Sequence, residues 1–189
     1  ATDGHKLVKH EQETESTTKE VISIVLPIKF LNIVKTITKK EENVIVKIGE
    51  NHAQTEQKNF TIITRTIKES FPDFNSVIPE NNKTIAETNT NEIVSCLKRV
   101  SIFSNKTTKQ VLMEFNKDEL IISTEDKETR SSAKEHLECE YNNENITIAY
   151  NAQYLKEVIE HINDEEIELF LSGPLTAAVF KPKKQKENS

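Results

Sequence analysis

The sequence is poor in residues that several classes of active site require. Its 189 residues include three glycines, two cysteines and no tryptophan. So few glycines argue against a phosphate-binding loop, in which the backbone must approach the phosphates closely. Cys96 and Cys139 each lie in an apolar, periodic segment. We therefore predict small core residues in a reducing, cytoplasmic compartment, and not a disulfide framework.

Long apolar runs are also absent. The longest apolar stretch, residues 21–31, is interrupted by Ser23, Pro27 and Lys29, whereas a membrane-spanning helix needs about 18 apolar residues in succession. We expect neither a membrane span nor a secretory leader. The formal net charge of −6 gives no general support for nucleic-acid binding. Any contact with DNA would therefore need a local basic face.

Three blocks of the sequence repeat the order strand, amphipathic helix, antiparallel strands. Apolar residues at helical spacing form the three predicted helix faces: Phe30, Ile33, Val34 and Ile37; Ile93, Val94, Leu97, Val100 and Phe103; Leu155, Val158, Ile159 and Ile162. The first block opens with a predicted buried strand at 21–26, followed by Pro27 as first helical residue. Thr90 or Asn91 is the predicted cap of the second helix. The order predicts an α+β fold, with helices on antiparallel sheets, and not a βαβ nucleotide-binding fold.

The remaining predictions concern strands and connectors. A hairpin is expected around residues 116–118. The polar segment 9–19 predicts a surface loop, 79–83 a connector between domains, and the charged segment 181–189 a disordered end. The predicted strands cover residues 44–48, 52–57, 60–67, 84–87, 111–115, 120–123, 133–141, 146–150, 167–171 and 175–180.

Catalytic chemistry has little support in the sequence. Asp3 and His5 could form a carboxylate–imidazole pair beside a nucleophile, but no nucleophile motif accompanies them. The histidines and cysteines do not have metal-ligand spacing. We expect no enzyme activity, metal or cofactor. A hydrolase using Asp3 and His5 remains an alternative that requires a Ser, Thr or Cys within reach of the imidazole.

Four segments carry a more specific signal. They are Ala1–Leu7 (ATDGHKL), Phe71–Pro79 (FPDFNSVIP), Arg99–Asn105 (RVSIFSN) and Ile148–Leu155 (IAYNAQYL). In this order they resemble signature segments of the bacterial sliding clamp, the beta subunit of DNA polymerase III. The resemblance extends over nearly the whole chain, so it is more specific than any one segment alone.

The resemblance implies a DNA-clamp fold of three similar domains, each built from two βαβββ units. Residues 1–74 would form the second half of the middle domain. Residues 75–189 would form the third domain without its final strand, and the first domain would be missing. Because the sequence starts without methionine, we expect it to be a portion of a longer protein. The alternative is an unrelated α+β interaction module whose repeats only mimic the clamp.

The resemblance also implies a pocket that captures peptide motifs of DNA polymerase and the clamp loader. Apolar side chains would take an aliphatic or aromatic anchor, and polar groups would bind the peptide backbone. Lys6 stands where the family usually has arginine, so bidentate bonding is lost. For Val77 and Leu175 the alternative is plain core packing. The implied pocket residues are Thr2, Gly4, His5, Lys6, Leu7, Pro72, Val77, Asn151, Tyr154 and Leu175.

Two further activities follow from the resemblance. Helices lining the ring would offer basic side chains to duplex DNA without reading its sequence. The candidates are Lys29, Lys35, Lys98, Arg99 and Lys156, with a solvated surface charge as the alternative. Ile102 and Phe103 match the contact that closes a head-to-tail homodimer ring, with burial at the helix end as the alternative. A fragment without the first domain is not expected to form that ring.

Overall fold

The regular elements of the described residues are short helices and antiparallel strands, as an α+β fold requires. The computed structural model describes residues 1–12, 21–38 and 43–184. The chain divides into two compact units, Glu15–Phe74 and a larger one formed by Ala1–Thr14 with Asn75–Ser189. The first residues thus group with the larger unit, although the sequence predicted one domain over 1–74.

The smaller unit contains one helix and one three-stranded sheet among its described residues. The order in the sheet is β1-β2-β3, and both pairings are antiparallel. Pro27 precedes the helix as its N-cap rather than as its first residue, and its carbonyl accepts a hydrogen bond from the backbone N–H of Phe30 at 3.0 Å. The elements are α1 (Ile28–Ile37), β1 (Ile45–Ile48), β2 (His52–Gln57) and β3 (Phe60–Arg65).

Among the described residues of the smaller unit, few side chains are buried. Phe30 of α1 and the β2 residues Ala53 and Thr55 are buried. The predicted buried strand at 21–26 is wrong: Val21 is fully exposed, and Val25 makes only an isolated bridge to Ile67. A β-branched run supports a strand only where a neighbouring strand can pair along its length.

The larger unit contains two sheets and two helices among its described residues. The sheet orders are β7-β6-β5-β8 and β10-β9-β4, and all pairings are antiparallel. A bridge between Glu87 and Glu140 joins the two sheets. The elements are β4 (Thr84–Asn89), α2 (Thr90–Val100), β5 (Gln110–Asn116), β6 (Glu119–Asp126), β7 (Ser131–Glu138), β8 (Ile146–Asn151), α3 (Ala152–Ile159), β9 (Glu166–Leu171) and β10 (Val179–Pro182).

The two repeats of this unit exchange their first strands. In chain order, the first repeat is β4-α2-β5-β6-β7 and the second is β8-α3-β9-β10. In space, β8 pairs with β5 of the first repeat, while β4 pairs with β9 of the second. Each sheet therefore contains strands of both repeats, so neither repeat can complete its sheet alone.

Asparagine side chains start both helices of the larger unit directly after a strand. The Asn89 side-chain oxygen accepts hydrogen bonds from the N–H groups of Asn91 and Glu92 at 2.9 and 3.1 Å. Asn151 does the same for Gln153 and Tyr154 at 3.0 and 3.3 Å. The cap of α2 is thus Asn89, and the predicted cap at Thr90 or Asn91 is wrong by one or two positions. Since β4 runs into α2 without a loop, the cap is the last strand residue.

The core of the larger unit lies between the helices and the sheets. Cys96 and Cys139 are buried in it and free, as predicted. Burial raises the pKa of the Cys96 thiol to about 12 and that of Cys139 to about 11, so both remain protonated at neutral pH. The largest fully buried side chains are Phe115, Ile93, Leu97, Met113, Leu120, Ile122, Ile159, Ile167, Leu169, Leu171, Val100 and Val111.

Three predicted boundaries in this unit need correction. The last strand is Val179–Pro182, not 175–180, because a turn occupies residues 174 and 175. Consequently the predicted disordered end is wrong for residues 181–184, where the backbone N–H of Lys184 also donates to Asp164 at 2.7 Å; the rest lies outside the described residues, as do residues 13–19 of the predicted loop. Phe103 follows α2 in a short 3-10 turn instead of extending the helix.

Candidate functional site

The first eight residues form a small closed hairpin. Ala1 and Val8 exchange backbone hydrogen bonds of 2.8 Å, the first through the terminal amine, and Thr2 forms a bridge with Leu7. Gly4 adopts a φ of +85°, which a glycine tolerates without strain. The hairpin is thus held together by its own hydrogen bonds.

Asp3 organises the turn of this hairpin. One of its carboxylate oxygens accepts hydrogen bonds from the backbone N–H groups of His5 and Lys6, both at 3.0 Å. The other accepts from the Lys6 ammonium at 2.5 Å. These bonds, that from the Lys6 side chain above all, lower the pKa of Asp3 well below its usual value, so Asp3 is ionised at neutral pH.

Two side chains of the hairpin contact the first turn of α3. The His5 ring stacks on the Tyr154 ring with centroids 5.2 Å apart and planes within 16°. The Lys6 ammonium lies over the same Tyr154 ring, 4.7 Å from its centroid, which is a cation–π distance. His5 and Lys6 of the hairpin and Tyr154 of α3 therefore form one cluster, the His5–Tyr154 cluster.

Polar residues that the sequence analysis did not single out extend this cluster. Glu157 forms an ion pair with Lys6 at 3.0 Å and accepts a hydrogen bond from the Gln153 amide at 3.0 Å. Gln153 in turn accepts a hydrogen bond from the Lys109 ammonium. The helical spacing of 153 and 157 was a usable signal, because residues four apart share a helix face.

The charges of the cluster stabilise one another. The pKa of Glu157 is lowered, first by the hydrogen bond from Gln153 and then by that from Lys6. The pKa of Lys6 is raised, first by Asp3 and then by Glu157. At neutral pH the ammonium is therefore held between two carboxylates.

The structure brings some of the predicted pocket residues together. Asn151 uses its side-chain oxygen to cap α3 and its amide to donate to the Thr108 carbonyl at 3.0 Å, so it positions the helix start beside the cluster. Leu7 is half-buried. The predicted residues that share this region of the larger unit are Thr2, Gly4, His5, Lys6, Leu7, Asn151 and Tyr154.

The other three predicted pocket residues lie in turns or extended segments. Val77 is in a 3-10 turn and 60% exposed, and Leu175 is in the turn before β10 and 98% exposed. Core packing, the alternative for both, is therefore wrong. Pro72 is an exposed residue of the smaller unit. Their role in a pocket stays a prediction.

The hydrolase alternative does not survive the geometry of the hairpin. Asp3 accepts from the backbone of His5 and pairs with Lys6, so it does not orient the imidazole. In the described part of the chain, no Ser, Thr or Cys side chain makes a hydrogen bond with the His5 ring, which stacks on Tyr154 instead. Without a nucleophile or an oriented base, this pair cannot perform hydrolysis.

The predicted DNA-facing side chains differ in their partners. Lys29 and Lys35 are exposed on α1, and Lys156 is half-buried on α3. Lys98 pairs with Glu160 at 2.8 Å, and the Arg99 guanidinium binds both carboxylate oxygens of Glu135. The fork of Arg99 is thus already occupied. That these residues contact DNA stays a prediction.

The two predicted ring-interface residues are exposed. Ile102 is 76% and Phe103 is 43% exposed in the turn after α2, so burial at the helix end, the alternative, is wrong. The Ser131 hydroxyl at the start of β7 donates to the Phe103 carbonyl at 3.3 Å. Because β7 is an edge strand of its sheet, exposed apolar side chains and an open strand edge occur together here.

No helix within ranges 1–12, 21–38 and 43–184 is long and apolar enough to cross a membrane. Within the same ranges, no group of three or more His, Cys, Asp or Glu side chains is arranged to hold a metal ion.

Solved structures that share the fold of this chain include sliding clamps. The beta sliding clamp of C. crescentus, crystallised with polyethylene glycol, has a TM-score of 0.91 and 22% identity over 97% of this chain and 49% of its own. A clamp of Pseudomonas aeruginosa bound to griselimycin has a TM-score of 0.80 and 22% identity, covering 86% of this chain and 44% of its own. At this level of identity the likeness establishes the clamp fold, as predicted.

Sequence comparison covers both parts of the chain. The family described as the DNA polymerase III beta subunit, central domain, matches residues 1–73, and the one described as its C-terminal domain matches residues 75–189. The beta sliding clamp of Haemophilus influenzae is 26% identical over 96% of this chain, and that of P. aeruginosa 24% over 95%. The chain spans about half the length of these relatives, 49% of each. It therefore belongs to the family of DNA polymerase III beta subunits, the beta sliding clamps.

Proposed function

We propose that this chain is part of a non-catalytic processivity clamp, which encircles duplex DNA as part of a ring and docks the peptide motifs of replication proteins. The observation that carries the proposal is the match of consecutive clamp domains to residues 1–73 and 75–189. It also sets aside the alternative of an unrelated interaction module. The domain division at 74/75 and a place in the cytoplasm, where DNA is replicated, belong to the same proposal.

Peptide docking is the activity for which the chain offers the most geometry. The His5–Tyr154 cluster joins a flat aromatic surface to polar groups that can bind a peptide backbone. Leu7 of the hairpin and the exposed Leu175 would offer apolar contacts to such a peptide. Such a combination suits short linear motifs with an aliphatic or aromatic anchor. We propose peptide motifs of DNA polymerase and of the clamp loader as the ligands.

DNA retention is the second proposed activity. Exposed lysines such as Lys29 and Lys35 on α1 would approach phosphates without reading bases. The net charge of −6 is compatible with this, because a ring can be acidic outside and basic inside. In a heteronuclear NMR titration with a short duplex, we expect weak, salt-sensitive shifts at these two lysines with any base sequence. Shifts that depend on sequence, or that spare α1, would contradict this part.

Ring closure is the third. Ile102 and Phe103 with the edge strand β7 would meet the first domain of the next subunit head to tail, and two full-length subunits would form the ring. The edge strand could then continue pairing across the interface. We do not expect the 189-residue chain to form this ring by itself.

Griselimycin provides a defined probe for the docking proposal, since clamps of P. aeruginosa and Bartonella birtlesii have been crystallised with it. Isothermal titration should give saturable, one-to-one binding to the chain. His5→Ala should weaken it about 2- to 12-fold, the range for loss of one aromatic pair. His136→Ala, on the edge strand β7, is the matched control and should leave binding unchanged. No binding, or equal loss in both variants, would contradict the proposed site.

A further inference from the structure

The Lys6 side chain of the docking cluster is held by acceptors from two different elements. Its ammonium contacts Asp3 in the hairpin at 2.5 Å, Glu157 in α3 at 3.0 Å and the face of Tyr154. A lysine has a long flexible stem and a point charge, and it lacks the rigid fork of arginine. Its position therefore depends on where its acceptors are fixed.

Of the two carboxylates, Glu157 is the one that joins the hairpin to the helix. Asp3 belongs to the same hairpin as Lys6, so their ion pair cannot hold the hairpin on α3. Glu157 is on α3 and is itself oriented by the Gln153 amide at 3.0 Å, while Gln153 is bound by Lys109. The Glu157 carboxylate is thus oriented by a contact that does not involve Lys6.

We propose that Glu157 is a positioning residue for the docking site, which holds Lys6 across Tyr154 and so keeps His5 stacked on the same ring. This inference rests on the proposed function, because fixed positions of Lys6 and His5 serve the protein only if peptides dock at the cluster. Glu157 need not touch the ligand. It fixes the two hairpin side chains that would.

Glu157→Gln tests the proposal, since it removes the charge and keeps the shape. The matched control is Glu160→Gln, in the next turn, whose carboxylate pairs with Lys98 at 2.8 Å. In the 189-residue chain, we expect the nuclear Overhauser effect between the His5 and Tyr154 rings to weaken in Glu157→Gln and to persist in Glu160→Gln. An unchanged effect in Glu157→Gln would overturn the inference.

A second substitution tests whether Glu157 acts through Lys6. Lys6→Arg in the Glu157→Gln background should restore the ring contact, because a guanidinium can bind Asp3 with two hydrogen bonds and stack on Tyr154. A contact that is lost in Glu157→Gln and not restored by Lys6→Arg would overturn this route.

Griselimycin binding separates this inference from the proposed function. We expect Glu157→Gln to weaken binding about 1.4- to fivefold, the range for a partly exposed ion pair, and Glu160→Gln to leave it unchanged. Failure of the wild-type chain to bind would overturn the docking proposal, whereas the ring contact, measured without ligand, would still decide the role of Glu157.

Discussion

The two compact units bury their apolar side chains to different degrees. In the larger unit, two repeats exchange strands, and both helices bury an apolar face against sheets built from both repeats. In the smaller unit, α1 lies on a sheet of three strands, and apolar side chains such as Ile28, Val46 and Ile63 remain exposed by 71, 58 and 61%. The difference shows that one repeat of this fold does not bury its own apolar surface.

The physical reason is the geometry of a helix on a sheet. An amphipathic helix buries one stripe, and a sheet has two faces, so a single helix leaves much of both uncovered. Strand exchange in the larger unit brings a second helix and a second sheet to the same core. A pair of repeats is therefore expected to be more stable than a single repeat in this fold.

The largest expected effect is a cavity in the core of the larger unit. Leu97 is fully buried in α2, whereas Leu31 of α1 is 47% exposed. We expect Leu97→Ala to lower the free energy of unfolding by about 2–5 kcal/mol, and Leu31→Ala to lower it by less than about 1 kcal/mol. Urea denaturation of both variants measures this. Similar losses in the two would mean that the units are equally well packed.

Hydrogen exchange should show, in the unsubstituted chain, which of the two units opens more easily. The central strands β2 and β6 are matched, because each has a neighbour on both sides. We expect backbone amides of β2 to exchange at least about tenfold faster than those of β6, since little apolar surface must be exposed to open the smaller unit. Equal protection of the two strands would break the comparison.

Helix capping offers a smaller contrast. Asn89 caps α2 with two hydrogen bonds, whereas Pro27 caps α1 without a side-chain bond. Asn89→Ala should cost about 1 kcal/mol of unfolding free energy, and the loss should be absent in Pro27→Ala. Thermal denaturation followed by circular dichroism checks both. Loss of stability in Pro27→Ala alone would contradict the capping argument.

The smallest effect concerns the hairpin, which its side chains hold on α3. Glu157 has a lowered pKa relative to its ordinary value of 4.5. The ion pair with Lys6 therefore contributes fully above pH 4.5 and is lost as the pH falls through the lower, folded-state pKa. An NMR titration should show the His5 and Tyr154 rings separating only when the pH falls below 4.5, the ordinary pKa of a glutamate. Separation on going from pH 7 to pH 9 would contradict this account.

Periodicity predicted the fold well wherever a segment had partners on both sides. All three helices and most strands are confirmed, because helical and alternating spacing reflect which face of an element is apolar. On α1, however, Ile33 and Ile37 of the predicted face are 50% and 39% exposed. It failed at residues 21–26, where a β-branched run has almost no strand to pair with, and at Asn89, where a strand ends as the helix begins. Both depend on long-range pairing that a local pattern does not contain.

The resemblance indicated residues of the His5–Tyr154 cluster but not the contacts between them. The resemblance indicated His5, Lys6, Asn151 and Tyr154, and the structure brings them together. The polar residues around them were missed. The ion pair between positions 6 and 157 leaves no signal in the spacing of either segment, and the helical spacing of 153 and 157 shows only that these two share a face of α3.

The most direct test of the central claim is a map of backbone amide shifts on adding griselimycin to the 189-residue chain. We predict that the shifts concentrate in the hairpin of residues 1–8 and in the first turn of α3, around Tyr154. Shifts confined to other parts of the larger unit, such as the β5–β6 hairpin, or no shifts at all, would show that this cluster is not the docking site.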